Sequence, residues 1–160
     1  MADDIKHIVA SSSVQSERLT SAWVTVGQDM ITAFGRITLD PDSMHDDPDW
    51  AAVHSPYGQT IAYGFLTISL LTYFLHAAES INSSPKARRG HYLNYGFDRL
   101  RLVSPVKVGA RLRGHFIPME PGTEIAGRIL RRHYCEIEIE GGTKPALIAE
   151  WLTYWVPDTK

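Results

Sequence analysis

The longest apolar stretch of this 160-residue chain covers residues 61–78 and constrains the fold more than any other feature. Its length lies at the lower edge of what a membrane-spanning helix needs. Five residues interrupt it: Gly64, Thr67, Ser69, Thr72 and His76. The four polar side chains among them would have no hydrogen-bond partner in lipid. We therefore predict a helix buried at the centre of a globular core, and we expect no association with a membrane.

Four segments of β-type sequence follow this stretch. Turn signals of Pro and Gly separate them, at residues 93–102, 110–119, 127–140 and 146–155. Residues 135–140 alternate between apolar and acidic side chains, which is the period of a sheet with one face in water. One long helix followed by consecutive strands predicts an α+β fold, in which an antiparallel sheet wraps around that helix.

The chain before residue 61 predicts less regular structure. Residues 1–20 are rich in Ser and weakly periodic, so we expect a flexible N-terminal arm and then one domain over residues 21–160. Residues 23–26 have the composition of a short strand. Apolar side chains at helical spacing predict a short helix that begins at residues 27–29. Residues 39–60 predict a long irregular loop, a kind of segment that often carries binding or catalytic residues.

Charge and cysteine content argue against several partners and locations. Sixteen Lys and Arg against 18 Asp and Glu give a formal net charge of −2, so we expect no binding to nucleic acid. The acidic N-terminus lacks the apolar region of a signal peptide. The single cysteine, Cys135, cannot form an internal disulfide, which is typical of a reducing compartment. We expect a cytoplasmic protein.

The sequence also lacks the common motifs for cofactors and metals. It contains no Gly-rich dinucleotide loop, nucleotide-binding lysine motif, zinc-protease motif or serine-hydrolase elbow. One cysteine and no close pair of histidines argue against a structural zinc site. We therefore expect proton chemistry without a cofactor or a metal.

The first candidate for such chemistry is the segment 40–45, DPDSMH in one-letter code. Asp40 and His45 stand on either side of a turn begun by Pro41, so their side chains can converge on one small volume. A carboxylate and an imidazole there could hold a water molecule and move its proton. The spacing alone leaves the alternative open that Asp40 or Asp42 caps a turn and that His45 is an ordinary loop histidine.

The second candidate is Gly64, near the start of the predicted helix. A glycine lets a ligand approach backbone N–H groups closely. Together with the positive end of the helix dipole, those groups can stabilise a developing oxyanion. The alternative is that Gly64 only lets the helix pack tightly against the sheet.

The order and separation of these two segments resemble the hydratase signature of MaoC-like proteins. That family includes the (R)-specific enoyl-CoA hydratases and their NodN-like relatives. The resemblance spans most of residues 23–157 and is carried by an ordered set of motifs: 40–45, Asp47-Pro48, SPYG at 55–58, TIAYGFL at 60–66, NYG at 94–96, Arg101, SPVKVG at 104–109, KPA at 144–146 and AEW at 149–151.

The resemblance implies a hot-dog fold, in which an antiparallel sheet wraps around one long helix, and a homodimer. It also implies reversible syn addition of water to a trans-2-enoyl-CoA, giving an (R)-3-hydroxyacyl-CoA without a cofactor. Carried over residue by residue, Asp40 and His45 match the catalytic pair that activates the water and returns a proton to the α-carbon. Gly64 matches the position whose backbone N–H polarises the thioester carbonyl.

Three positions depart from the family pattern. Leu39 stands where Gly often precedes the catalytic Asp, Asp42 stands where an amide is common, and Tyr63 stands where His commonly precedes the glycine. We predict that the substrate-binding residues are Gly64, Tyr63, Asp42 and His54. Three basic residues are weaker candidates for contact with the phosphates of coenzyme A, since charged loops are usually only solvated: Lys86, Arg88 and Arg89.

Two other functions stay open. A hot-dog protein with the same carboxylate could direct water to the thioester carbonyl and act as an acyl-CoA thioesterase. The substitutions at Asp42 and Tyr63 are also compatible with a protein that binds acyl-CoA without turning it over.

Overall fold

A computed structural model describes residues 18–82, 90–119 and 121–158 of the chain. Most of the predicted N-terminal arm and all three basic candidates, Lys86, Arg88 and Arg89, lie outside the described residues. The described helices are α1 (Gln28–Thr38), α2 (Ser43–Asp46), α3 (Pro48–His54) and α4 (Gly64–Asn82). The described strands are β1 (Leu19–Thr20), β2 (Val24–Thr25), β3 (Gly90–Leu102), β4 (Arg111–Pro118), β5 (Thr123–Ile125), β6 (Arg128–Ile139) and β7 (Leu147–Pro157).

These strands form one antiparallel sheet with the main order β1-β4-β6-β7-β3, to which β2 adds beside β4 and β5 adds beside β6. Strands β3, β4, β6 and β7 correspond to the four predicted strands, whereas the sequence does not predict the short β1 and β5. Alternate residues of β6 are buried, as the period-two pattern of residues 135–140 predicts: Cys135 and Ile137. In β7, by contrast, residues 149–153 are all buried.

The hydrophobic core lies between α4 and the sheet. One face of α4 is almost fully buried and contacts a cluster that includes Leu112, Phe116 and Trp151 of the sheet. Burial of each large side chain in such a core stabilises the fold by roughly 1.5–3 kcal/mol. The buried residues of α4 recur at helical spacing and so share one face: Leu71, Phe74, Leu75 and Ala78. The prediction of an antiparallel sheet around one long helix is confirmed.

The prediction of an irregular loop over residues 39–60 is wrong in part, because α2 and α3 lie within it. Asp42 accepts a hydrogen bond from the Met44 N–H at the start of α2 (2.8 Å). Asp47 accepts one from the Trp50 N–H at the start of α3 (2.9 Å), where Pro48 occupies the first position. Asp is a preferred N-cap and Pro a preferred first helical residue, so the residues that indicated a loop instead begin two short helices.

The central helix begins three residues later than the apolar stretch that predicts it. Ile61 forms an isolated β-bridge with Lys107, and the Ala62 N–H donates to the Val106 carbonyl (2.7 Å). These bonds hold the chain extended until Gly64, so the first turn of α4 lies beside the loop that follows β3. Among the described residues, no helix is long and apolar enough to cross a membrane.

Candidate active site

The turn after α1 places Asp40. Leu39 ends the helix in the left-handed conformation, with φ 58° and ψ 35°, and the Asp40 N–H donates to the Gly35 carbonyl (3.0 Å). A left-handed conformation costs a non-glycine residue roughly 1–2 kcal/mol. Glycine adopts this conformation without that cost, which is a physical reason why the family that the sequence resembles often has Gly at the position of Leu39. The side chain of Asp40 is exposed to solvent.

Asp42 and His54 each make a contact that gives the residue a structural role. The carboxylate of Asp42 is the N-cap of α2, which confirms the alternative that this residue caps the turn. His54 is the last residue of α3, and its exposed ring lies beside that of Trp50, with 5.2 Å between the ring centroids. Contacts of Asp42 and His54 with a substrate stay predictions.

Hydrogen bonds fix both the backbone and the ring of His45. Its ring Nδ1 lies 2.7 Å from the carbonyl oxygen of Ile61. Because a carbonyl only accepts, Nδ1 carries the proton, and in the neutral ring the lone pair is on Nε2. The backbone carbonyl of His45 accepts from Gln28 Nε2 (2.7 Å), and the amide oxygen of Gln28 in turn accepts from the buried Thr60 hydroxyl (2.6 Å). His45 is therefore held in one orientation with Nε2 available for proton transfer.

Tyr63 contacts both members of the predicted catalytic pair. Its ring centroid lies 3.9 Å from that of His45, with 34° between the ring planes. Its hydroxyl lies 2.6 Å from the carbonyl oxygen of Asp40 and 3.0 Å from Oδ2 of Asp46. Burial and the Asp46 carboxylate raise the pKa of Tyr63 to about 12. The hydroxyl therefore remains a protonated donor at neutral pH.

Gly64 is the first residue of α4 and lines a cavity of about 230 Å³ together with His45. The N–H groups of a first helical turn have no partner within the helix, and the helix dipole makes that end positive. A Cβ at residue 64 would overlap Cδ1 of Leu102. Side chains from several elements complete the wall of the cavity: Tyr57, Thr67, Leu102, Ser104 and Val106.

The structure thus brings His45 and Gly64 to one cavity, and it places Tyr63 in contact with His45 and with the backbone of Asp40. Three residues that support this arrangement were not predicted from the sequence: Gln28, Asp46 and Thr60. The capping pattern that begins α2 is a local signal that would have placed Asp46 on a short helix. The bonds of Gln28 join residues far apart along the chain, and no local pattern reveals them.

Comparisons with known proteins show the family to which the chain belongs. A family model described as the MaoC like domain matches residues 9–123. The chain belongs to the MaoC-like family. It is 42% identical over 143 residues to Nodulation protein N of Rhizobium leguminosarum bv. viciae, covering 89% of this chain and 86% of that protein. This match confirms the resemblance to the NodN-like group of MaoC-like proteins.

A second relative has an enzyme name, and a solved structure shares the fold. The chain is 33% identical over 136 residues to 3-hydroxyacyl-thioester dehydratase Z of Mycobacterium tuberculosis, covering 85% of this chain and 86% of that protein. The structure of the (R)-hydratase from A. caviae matches with a TM-score of 0.65 and 19% identity, covering 89% of this chain and 98% of that one. These findings confirm the hot-dog fold, and membership of the family assigns the chain to the hydro-lyases.

Proposed function

We propose that the chain adds water reversibly to a trans-2-enoyl-CoA and forms an (R)-3-hydroxyacyl-CoA. The observation that carries the proposal is that His45 and the first turn of α4 share one cavity. Membership of a dehydratase family and the likeness to a 3-hydroxyacyl-thioester dehydratase support the choice of substrate class.

In the proposed reaction, the Gly64 N–H, which has no acceptor within the helix, donates to the thioester carbonyl. Addition of water to the β-carbon builds negative charge on that carbonyl oxygen as an enolate forms. A donor aimed at this oxygen is worth more in the transition state than in the ground state, so it lowers the barrier to the chemical step. The absence of a side chain at Gly64 leaves the N–H accessible to the carbonyl.

Asp40 and His45 move the protons. Asp40 is assigned as the base that orients and deprotonates the water, and His45 as its acid–base partner. The hydroxyl of the water bonds to the β-carbon, and a proton is delivered to the α-carbon as the enolate collapses. The reaction neither oxidises nor reduces the substrate, so the proposed mechanism uses only groups of the chain. The fixed Nδ1–H of His45 suits this role because Nε2 can accept a proton and release it again.

The test is to follow the loss of enoyl absorbance with crotonyl-CoA and longer trans-2-enoyl-CoA substrates. Wild-type protein is expected to hydrate at least one of them. Asp40→Asn and His45→Gln are each expected to lower kcat by at least about a hundredfold, the lower end of what a positioned proton-transfer group contributes. Asp49→Asn, at an exposed position in the first turn of α3, is the matched control and should retain wild-type activity.

Full activity in both Asp40→Asn and His45→Gln would contradict the assigned mechanism. Release of free thiol from an acyl-CoA, without hydration of any enoyl-CoA, would instead identify a thioesterase. Tight binding of enoyl-CoA with neither reaction would identify a binding protein.

We also propose that the working unit is a homodimer. Strand β3 is at one edge of the sheet, and Tyr95 on it is 63% exposed. Two aromatic residues of α4 are exposed as well, Phe65 by 75% and Tyr73 by 53%. A long edge strand with exposed aromatic side chains is a surface that proteins usually cover, and a second copy of the chain would cover it.

A further inference from the structure

We propose that Tyr63 is a positioning residue that holds Asp40 and His45 in place, with the half-buried Asp46 as its partner. The inference rests on the proposed function and assigns roles to two residues that need not touch the substrate. It differs from the expectation that Tyr63 binds substrate directly.

Three contacts of the Tyr63 side chain go to one short segment, residues 40–46. The hydroxyl reaches the backbone carbonyl of Asp40 at the beginning of the segment (2.6 Å) and the carboxylate of Asp46 at its end (3.0 Å). Between these two points, the ring of Tyr63 packs on the ring of His45. One side chain therefore fixes both ends of the segment and the imidazole within it.

The hydroxyl lies in a closed space and not at the cavity. Tyr63 is only 4% exposed, whereas the neighbouring residue Gly64 lines the cavity. A Cβ at Gly35 of α1 would overlap the Tyr63 hydroxyl, so the helix approaches this oxygen as closely as a glycine allows. The hydroxyl is thus enclosed between α1 and the segment 40–46, where it can set positions but has no path to a ligand.

Asp46 depends on this hydroxyl for a partner. Its Oδ2 lies 3.0 Å from the Tyr63 hydroxyl, while its buried Oδ1 has no hydrogen-bond partner among the described residues. A buried carboxylate oxygen without a partner is costly, so Asp46 is placed at some expense in stability. Asp46 follows His45 directly in α2, so its position bears on the backbone of the catalytic segment.

Loss of the Tyr63 hydroxyl is expected to lower the turnover rate of the enzyme and not its affinity for the substrate. Without the hydroxyl, Asp40 and Asp46 lose their common partner, and the segment 40–46 can shift relative to α4. A misplacement of about 1 Å at a catalytic group can cost about a hundredfold in rate. Substrate binding should change little, because the hydroxyl has no access to the cavity.

The test compares Tyr63→Phe, which keeps the ring and removes the hydroxyl, with Tyr134→Phe, a matched loss of a hydroxyl from a side chain of β6 that does not line the cavity. Tyr63→Phe is expected to lower kcat for enoyl-CoA hydration at least about tenfold while KM stays within about twofold. Tyr134→Phe should retain both constants. Tyr63→His, the residue common in the family, is expected to recover more activity than Tyr63→Leu because it keeps an aromatic ring against His45.

Amide hydrogen exchange measures how firmly the segment 40–46 is held, and it requires no substrate. The amide hydrogens of Asp40, His45 and Asp46 are bonded within the turn and α2, and in Tyr63→Phe and in Asp46→Ala they are expected to exchange at least about tenfold faster than in wild type. Unchanged exchange in both variants would overturn the proposal. So would a rise in KM at constant kcat, which would show that Tyr63 contacts the substrate. If wild-type protein hydrates no enoyl-CoA, the proposed function fails, and the exchange rates still decide whether Tyr63 holds the segment.

Discussion

At the scale of single residues, a neighbouring carbonyl decides which nitrogen of His45 can react. Ile61 accepts the Nδ1–H, so the neutral ring presents its lone pair on Nε2. Ile61 can do so because the chain is still extended at that point, held by its bridge to Lys107. If α4 began at the start of the apolar stretch, this carbonyl would be used by the helix and the tautomer of His45 would not be fixed in this way.

Gly64→Ala tests the proposed carbonyl site at the same scale. The added Cβ would overlap Cδ1 of Leu102, but Leu102 is 51% exposed, so its side chain can rotate away and the protein should still fold. The Cβ would then stand beside the N–H to which the thioester carbonyl is proposed to bind. We expect kcat/KM to fall about a hundredfold, as it does when an oxyanion donor is lost, with little change in melting temperature.

The added methyl group has two effects, overlap with Leu102 and obstruction of the Gly64 N–H, and Leu102→Ala separates them. In the Gly64→Ala background it removes the side chain that the Cβ would overlap, so it should relieve any strain but should not restore activity. Wild-type activity in Gly64→Ala alone, or full recovery in the double variant, would contradict the assignment of the Gly64 N–H.

At the scale of secondary-structure elements, strand β3 and helix α4 carry the surface expected to bind a second copy. Each chain has a mass of 17.9 kDa, and sedimentation equilibrium of wild-type protein is expected to give twice that mass. Tyr95→Lys places a charge at the exposed edge of β3 and should shift the protein toward the single-chain mass. Val53→Lys, at a similarly exposed apolar side chain on α3, should leave the mass unchanged. A single-chain mass for the wild type would contradict the proposed dimer.

Elements with a continuous apolar stretch or an alternating pattern could be predicted from the sequence, and the short helices could not. The apolar stretch predicts α4 because a helix so rich in apolar residues must be buried, and the alternating residues 135–140 predict β6 because one face of a strand of this kind lies in water. Asp42 and Asp47 favour loops and helix N-caps equally, so the same residues were compatible with an irregular loop and with the observed α2 and α3.

The candidate site, too, could be predicted from the sequence only in part. Asp40, His45 and Gly64 stand out by residue type and order. The contact between Tyr63 and Asp46 depends on how closely α1 approaches at Gly35, and only the packed structure sets that distance. The left-handed Leu39 could not be predicted either, since this conformation is unfavourable for leucine and is imposed by the turn that follows α1.

At the scale of the whole molecule, one helix serves two purposes at different points along its length. The later turns of α4 bury Leu71, Phe74 and Leu75 against the sheet. Its first turn, at Gly64, faces the cavity that His45 also lines. The packed core thereby fixes the direction of the helix axis, and with it the direction of the backbone N–H groups proposed to polarise the thioester.

The most direct test of the proposed mechanism is a crystal structure of the His45→Gln variant with a trans-2-enoyl-CoA bound, since this variant should consume the ligand at least about a hundredfold more slowly than wild type. We expect the thioester carbonyl oxygen within about 3.2 Å of the Gly64 nitrogen, and the β-carbon facing Asp40 and residue 45. An enoyl thioester bound outside the cavity, or bound inside it with its carbonyl turned away from Gly64, would contradict the proposed mechanism.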